Sequence, residues 1–164
     1  MKSLICFRHG KSNWNADYES DHNRPISKRG IKASVKMGRY LSRINQQPEL
    51  VISSTALRAR DTAEIAIRSG KWGSKLILEK KIYEGTVQTL FSIIKQQNDK
   101  HTNICIVGHE PSLSGLIEKC DNFKLPKFPT AAMARIDFDS IKWNEIDYEH
   151  GKKIWIKKPK TLIQ

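Results

Sequence analysis

Ser3-Leu4-Ile5-Cys6-Phe7, running straight into Arg8-His9-Gly10, is the stretch from which the fold can be read. A short, nearly continuous apolar run is what a strand needs when helices cover both faces of a parallel sheet. Leu50-Val51-Ile52, Leu76-Ile77-Leu78 and Ile104-Cys105-Ile106-Val107 repeat that character. Helical patterns lie between these runs. Ser27 can cap a helix in which Ile31, Val35, Gly38 and Leu41 share a face, and Ala59, Ala63, Ala66 and Ile67 do the same in a second. Val87, Leu90, Phe91 and Ile94 mark a third helix across 87–97. A fourth opens at Pro111, a favoured first-turn residue, and runs through Leu113, Leu116, Ile117 and Cys120. Strands alternating with helices predict an α/β protein, a three-layer α/β/α sandwich around a mostly parallel central sheet. The C-terminal part differs: 132–138 alternates as a strand, 154–156 as another, and together they predict an antiparallel C-terminal edge hairpin around Trp143.

The 164 residues are 38% hydrophobic and 28% charged, enough for one core and too little for two, so 1–164 is expected to form a single domain. No apolar run approaches the roughly 18 residues that span a bilayer. The start MKSLICFRHG turns charged too early for a secretory signal, and the expectation is a cytoplasmic protein with no membrane span. Cys6, Cys105 and Cys120 form no CxxC and cannot all pair, so free, mostly buried thiols are expected. Twenty-nine Lys and Arg against 17 Asp and Glu leave a net charge of +12, a field that attracts anions without choosing among phosphate esters, nucleic acid, membrane or acidic protein.

In an open α/β sheet, ligands bind beyond the carboxyl ends of the strands. His9 follows the first strand, and His109, within Val107-Gly108-His109-Glu110-Pro111, follows the last of the four apolar runs. Another strand ends at Ser53-Ser54-Thr55, and the next helix carries Arg58 in its first turn. Two imidazoles and two guanidiniums thus reach one rim, where helix N-termini at 54–58 and 110–113 add anion affinity. The set suits phosphoryl transfer. Arg8 and Arg58 can grip phosphate oxygens bidentately and neutralise charge in the transition state. An attacking imidazole must be neutral, and neighbouring cations bias His9 towards that form, with a covalent phosphohistidine as the expected intermediate. His109 would face the phosphoryl group as a donor, most useful when charged.

Other uses of these residue types are poorly supported. His109-Glu110 would begin HExxH, but position 113 is Leu, and no GxxxxGK[ST] or GxSxG run occurs. Ser12 and Ser112 are expected to cap or line loops. His22, His101 and His150 lie in polar stretches and are expected to be solvated surface residues. The basic run Lys152-Lys153-Ile154-Trp155-Ile156-Lys157-Lys158-Pro159-Lys160 describes an edge strand protected by charge. Nucleic acid is not the expected partner, since no recognised binding motif accompanies the charge.

Arg8-His9-Gly10-Lys11-Ser12-Asn13-Trp14-Asn15 resembles the RHGxSxWN signature of the histidine phosphatase (phosphoglycerate mutase-like) superfamily. Residues 21–30, D-H-N-R-P-I-S-K-R-G, look like the segment leading into that family's first helix. Residues 53–63 resemble its SSPLxRAxQTA segment, with Thr55 for the usual Pro and Asp61 for the usual Gln. Tyr83-Glu84-Gly85 resembles its LxE element, and the segment around His109 its second-histidine motif. The resemblance spans roughly residues 3–138, and the short chain, Tyr-Glu element and GHEPSLS run are most similar to phosphohistidine phosphatases of the SixA type.

That resemblance implies an α/β/α sandwich, no metal or other cofactor, and a phosphorylated His9. It places Asn15 where some members hydrogen-bond the phosphate, and Lys11 where many carry Glu. Glu84 stands where larger members place a general acid; an exposed glutamate at a strand–loop junction fits the sequence equally well. The function implied is a phosphatase working through phosphohistidine, with phosphohistidine in a protein as substrate. A phosphatase for a small phosphorylated metabolite, such as a sugar phosphate or nucleotide, is the alternative, and a non-catalytic basic module binding phosphate or nucleic acid is a third. A mutase is disfavoured because segments that would cap a bisphosphorylated cofactor have no counterpart.

Overall fold

A computed structural model describes residues 1–122, 124–125 and 127–162. Six strands, β1 (Lys2–Arg8), β2 (Leu50–Ser53), β3 (Lys75–Leu78), β4 (Asn103–Gly108), β5 (Met133–Phe138) and β6 (Gly151–Lys157), form one sheet in the order β3-β2-β4-β1-β5-β6. The first four are mutually parallel, and β5 runs antiparallel to both β1 and β6. Four helices, α1 (Lys28–Arg43), α2 (Leu57–Gly70), α3 (Val87–Lys95) and α4 (Ser112–Asp121), complete the fold.

The pleat of β1 explains the three layers. Leu4 and Cys6 point into a core shared with Leu90, Ile94, Leu113 and Ile117 of α3 and α4. Ile5 and Phe7 point the other way, against Met37, Leu41, Ala59 and Ala63 of α1 and α2. Both faces are dry, so a strand there needs unbroken apolar character. All three cysteines are free and buried. No helix among the described residues is long and apolar enough to cross a membrane.

Ser27 caps α1 by accepting a hydrogen bond from the Gly30 N–H. The buried face is not the one its aliphatic residues suggest: Gly30, Ser34, Met37, Gly38 and Leu41 face inward, while Ile31 is 41% exposed. α1 meets α2 backbone to backbone, so small residues occupy the contact. An ideal Cβ on Gly38 would lie 2.4 Å from the Ala66 carbonyl oxygen, and one on Gly70 2.3 Å from that of Gly38.

Two further expectations are corrected. Leu76-Ile77-Leu78 is the sheet's edge strand rather than a doubly buried one, with Leu78 47% exposed. Pro111 is the N-cap of α4, whose first residue is Ser112. The antiparallel hairpin forms, and Trp143 in its connection is completely buried. The Trp143 indole donates to the His101 carbonyl (2.8 Å), and Lys2 lies over its ring at 5.4 Å. Lys2 is itself buried, its ammonium donating to the Asp99 and His101 carbonyls.

Candidate active site

The carboxyl ends of β1, β4 and β2 are stitched together. The His9 N–H donates to the Gly108 carbonyl (3.1 Å), the Ser54 N–H to that of Val107 (3.0 Å), and the Ala131 N–H to those of Arg8 and His9. The loop after β1 also presses on the start of α1: an ideal Cβ on Gly10 would sit 2.8 Å from the Gly30 carbonyl oxygen. Only glycine lets those backbones approach so closely. The Gly10 N–H donates to Thr62 Oγ1 (2.8 Å), which donates to the Arg58 carbonyl (2.7 Å), tying the loop to α2.

These ties bring Arg8, His9, Arg58 and His109 into one cavity of about 270 Å³. His9 is 7% exposed and its ring lies 5.2 Å from that of His109. Its Nδ1 is 2.7 Å from the Gly10 carbonyl, which can only accept, so the proton sits on Nδ1 and Nε2 keeps its lone pair. Burial lowers the His9 pKa to about 4; the bond to Gly10 opposes this, and the charges of Arg58, Arg8 and Arg24 add to it.

His109 corrects the expectation of a charged donor. Burial first, then His9, Arg58 and Arg8, hold its pKa down to about 3 against the opposing charge of Asp21, so the ring is neutral. His109 Nε2 lies 2.8 Å from Ser54 Oγ, which already accepts from the Ala56 N–H. Giving Ser54 one bond of each kind puts its proton on Nε2 and the His109 proton on Nδ1.

Sequence reasoning missed much of what surrounds this pair. Asp21 is the hub: its Oδ2 accepts from Arg58 (3.0 Å) and from the Tyr83 hydroxyl (2.7 Å), and its carbonyl from Arg58 (2.7 Å). Arg24 pairs with the other Asp21 oxygen and lays its guanidinium over the Trp14 ring, 3.5 Å from the centroid. Although partial burial opposes it, hydrogen bonds from Tyr83 and Arg58 and the charges of Arg58 and Arg24 hold the Asp21 carboxyl below its ordinary range. Arg24 is 6% exposed and lines the cavity as a third guanidinium. The signal for it was the Asp21-to-Arg24 spacing in the D-H-N-R segment, but nothing local says that it folds back over the site.

Two predicted residues are not brought in. Glu84 is exposed, at φ 61°, and does not line the cavity; its neighbour Tyr83 turns inward, with its ring 5.6 Å from that of His109. Asn15 is exposed and outside the lining, its N–H donating to Asn13 Oδ1 (3.0 Å). The carboxylate in the wall is Glu110, whose Oε1 accepts from the Ser114 N–H (2.8 Å) in the first turn of α4. His22 is also not a free surface residue: it bonds Thr55 Oγ1 (2.8 Å) and packs edge-on to Tyr83 at 4.9 Å. His101 is only 16% exposed beside Glu49, while His150 is exposed and bonded to Asp147.

Six buried side-chain polar atoms among the described residues lack a hydrogen-bond partner, and four of them belong to this site: Nε of Arg8, Arg24 and Arg58, and Nδ1 of His109. Burying donors unpaired is unfavourable, and a bound anion is one way in which such groups are completed. Three guanidiniums and an unpartnered imidazole N–H thus stand with a neutral imidazole whose Nε2 keeps its lone pair, a set of groups chemically suited to an oxyanion.

A sequence model of the histidine phosphatase superfamily (branch 1) matches residues 4–85, half of the chain. The chain belongs to this superfamily, and is a phosphatase by class. An uncharacterized Mycobacterium leprae protein is 28% identical over 159 residues, which cover 90% of this chain and 96% of that one. The SixA structure from Agrobacterium tumefaciens shares the fold with a TM-score of 0.83 and 23% identity, covering 96% of this chain and 98% of that one. A mycobacterial glucosyl-3-phosphoglycerate phosphatase shares it with a TM-score of 0.68 and 12% identity, covering 93% of this chain and 97% of that one.

Proposed function

We propose that this protein is a phosphohistidine phosphatase that transfers the phosphoryl group of a protein phosphohistidine to His9 and then to water. In the first step His9 Nε2 attacks phosphorus in line, the new N–P bond forms as the bond to the substrate imidazole breaks, and the leaving nitrogen takes up a proton. In the second step water attacks the same phosphorus, the bond to His9 breaks, and phosphate leaves with the ring neutral again. Arg8, Arg24 and Arg58 carry the charge on the non-bridging oxygens in both steps, and the His109 N–H donates to one of them. The guanidiniums supply the positive charge that these steps need, and neither step calls for a metal ion.

The observation that carries this reading is the His9–Gly10 bond within a cationic pocket. It directs the proton to Nδ1 and keeps Nε2 nucleophilic at neutral pH without a separate base. Protein phosphohistidine is favoured as substrate because Glu84, the position matched to a general acid, lies outside the cavity. The free ring nitrogen of a phosphohistidine can take a proton near neutral pH, so that a neutral imidazole leaves, whereas a sugar ester departs as a strongly basic alkoxide unless an acid is positioned to protonate it. Glu110 in the wall favours a second reading, hydrolysis of a small phosphoester, since its carboxyl could serve that purpose.

The test is intact-mass analysis of enzyme quenched during turnover of a small phosphoramidate, beside a phosphoester of similar size and the His9→Ala variant. The expected result is an acid-labile phosphate adduct, lost in His9→Ala, and phosphoramidate preferred over ester. Preference for the ester would move the function to small metabolites. Tight phosphate binding with no adduct and no turnover would leave a binding module.

A further inference from the structure

A second concavity of about 390 Å³ adjoins the phosphate pocket, with Lys11 and Thr130 lining both. Ala33, Pro129 and Pro159 contribute its apolar surface, and Lys11, Arg29, Lys127, Lys158 and Lys160 its charge. The five cations come from four separate places: the loop after β1, the first turn of α1, the stretch between α4 and β5, and the segment after β6. Among the described residues none of them is in an ion pair and no carboxylate lines the trough. The C-terminal segment is held in place: Lys36 donates to the Pro159 carbonyl (2.6 Å), and Leu162 packs on the core beneath α1 and α2. Gathering five uncompensated cations along one groove raises self-repulsion and contributes nothing evident to the fold.

Resting on the phosphoprotein reading above, we infer that this trough docks an acidic segment flanking the phosphorylated residue of the substrate. The charges come from four separate segments, and four of the five are lysines. Lys11, Arg29, Lys127 and Lys160 are exposed, and Lys158 is half-buried. A subsite for a second phosphate would converge planar guanidinium forks or backbone N–H groups, as the catalytic pocket does. Exposed, separated ammonium groups instead suit carboxylates spaced along a polypeptide, raising encounter rate and fixing register. Among the described residues no aromatic side chain lines the trough, so they offer no platform for stacked bases of single-stranded nucleic acid.

The experiment compares a fluorescent histidine-containing peptide with Asp and Glu on both flanks against its Asn and Gln counterpart, titrated into the full chain at low and at physiological salt. The acidic peptide is expected to bind about tenfold tighter at low salt and to lose most of that advantage as salt rises. The Lys158→Glu/Lys160→Glu variant, and independently Lys127→Glu, should close the gap. Lys75→Glu, exposed on the opposite edge of the sheet, should leave it open. With the histidine phosphorylated, kcat/KM should show the same ratio. Equal binding of the two peptides, or a preference that Lys75→Glu erases as fully as the double variant, would overturn the inference. So would an oligonucleotide that outcompetes the acidic peptide and loses its own affinity in the double variant. If the binding preference holds but no phosphoramidate is turned over, the trough stands as an acidic-segment site and the phosphatase reading falls.

Discussion

Arg58 does two things at once. It lines the pocket with its Nε buried and unpartnered, and its terminal nitrogens are held by the carbonyl and carboxylate of Asp21. Truncating it should remove charge stabilisation at the phosphoryl group and also free Asp21 to drift towards the anion. Arg58→Ala is therefore expected to raise the barrier by about 2 to 4 kcal/mol, the range seen when charge-stabilising donors are deleted elsewhere, and kcat/KM on a small phosphoramidate checks it. The histidine pair makes a prediction about pH. Folded His9 and His109 titrate near 4 and 3, while each would titrate near 6.5 in the unfolded chain. Between those values the unfolded chain binds more protons, so stability is full above about 6.5 and declines as pH falls through about 4. Urea midpoints measured from pH 7 down to 4 should fall steadily, and NMR shifts of both rings should remain those of neutral imidazole through pH 5.

At the level of elements, the sharpest requirement is the crossing of α1 and α2. Gly38 packs on the Ala66 backbone, and its carbonyl accepts from the Trp72 indole (3.0 Å). A methyl group there has nowhere to go, because its nearest neighbours are backbone atoms of the opposing helix. Gly38→Ala should destabilise the protein by about 1 to 3 kcal/mol, the usual range for overpacking, despite the higher helix propensity of alanine, as chemical denaturation would show. The same crossing explains an expectation that failed. Spacing of large aliphatics picked Ile31 and Val35 for the inner face of α1, but close helix approach selects small residues, which carry little hydrophobic signal. Strand β3 failed in the opposite direction: its apolar run was visible, while its place at the edge depends on which strands pair. β1, β2, β4, α3 and α4 were legible because both-face burial and helical periodicity are written locally, in residues such as Ile104 to Val107 and Leu113 to Cys120.

Four of the unpaired buried polar atoms among the described residues belong to one site at the carboxyl end of the sheet, and this has a thermodynamic consequence. An anion that binds only the folded chain stabilises it by mass action, by about 2.7 kcal/mol at one hundred times its dissociation constant. Inorganic phosphate should raise the melting temperature well beyond chloride of equal ionic strength, and Arg8→Ala should abolish most of that difference in thermal denaturation. The sequence by itself determined the alternation of strands and helices, the antiparallel edge, and the positions of Arg8, His9 and His109 at strand ends and of Arg58 in the first turn of the helix after β2, because each of these is a matter of neighbours along the chain. Only the tertiary structure decided that Asp21 and Arg24 complete the site, that Tyr83 turns inward while Glu84 turns out, that His109 is neutral, and that five cations from four segments share one trough. Those outcomes depend on burial and on contacts between distant segments, and a side chain's charge and reach are set by what folds against it.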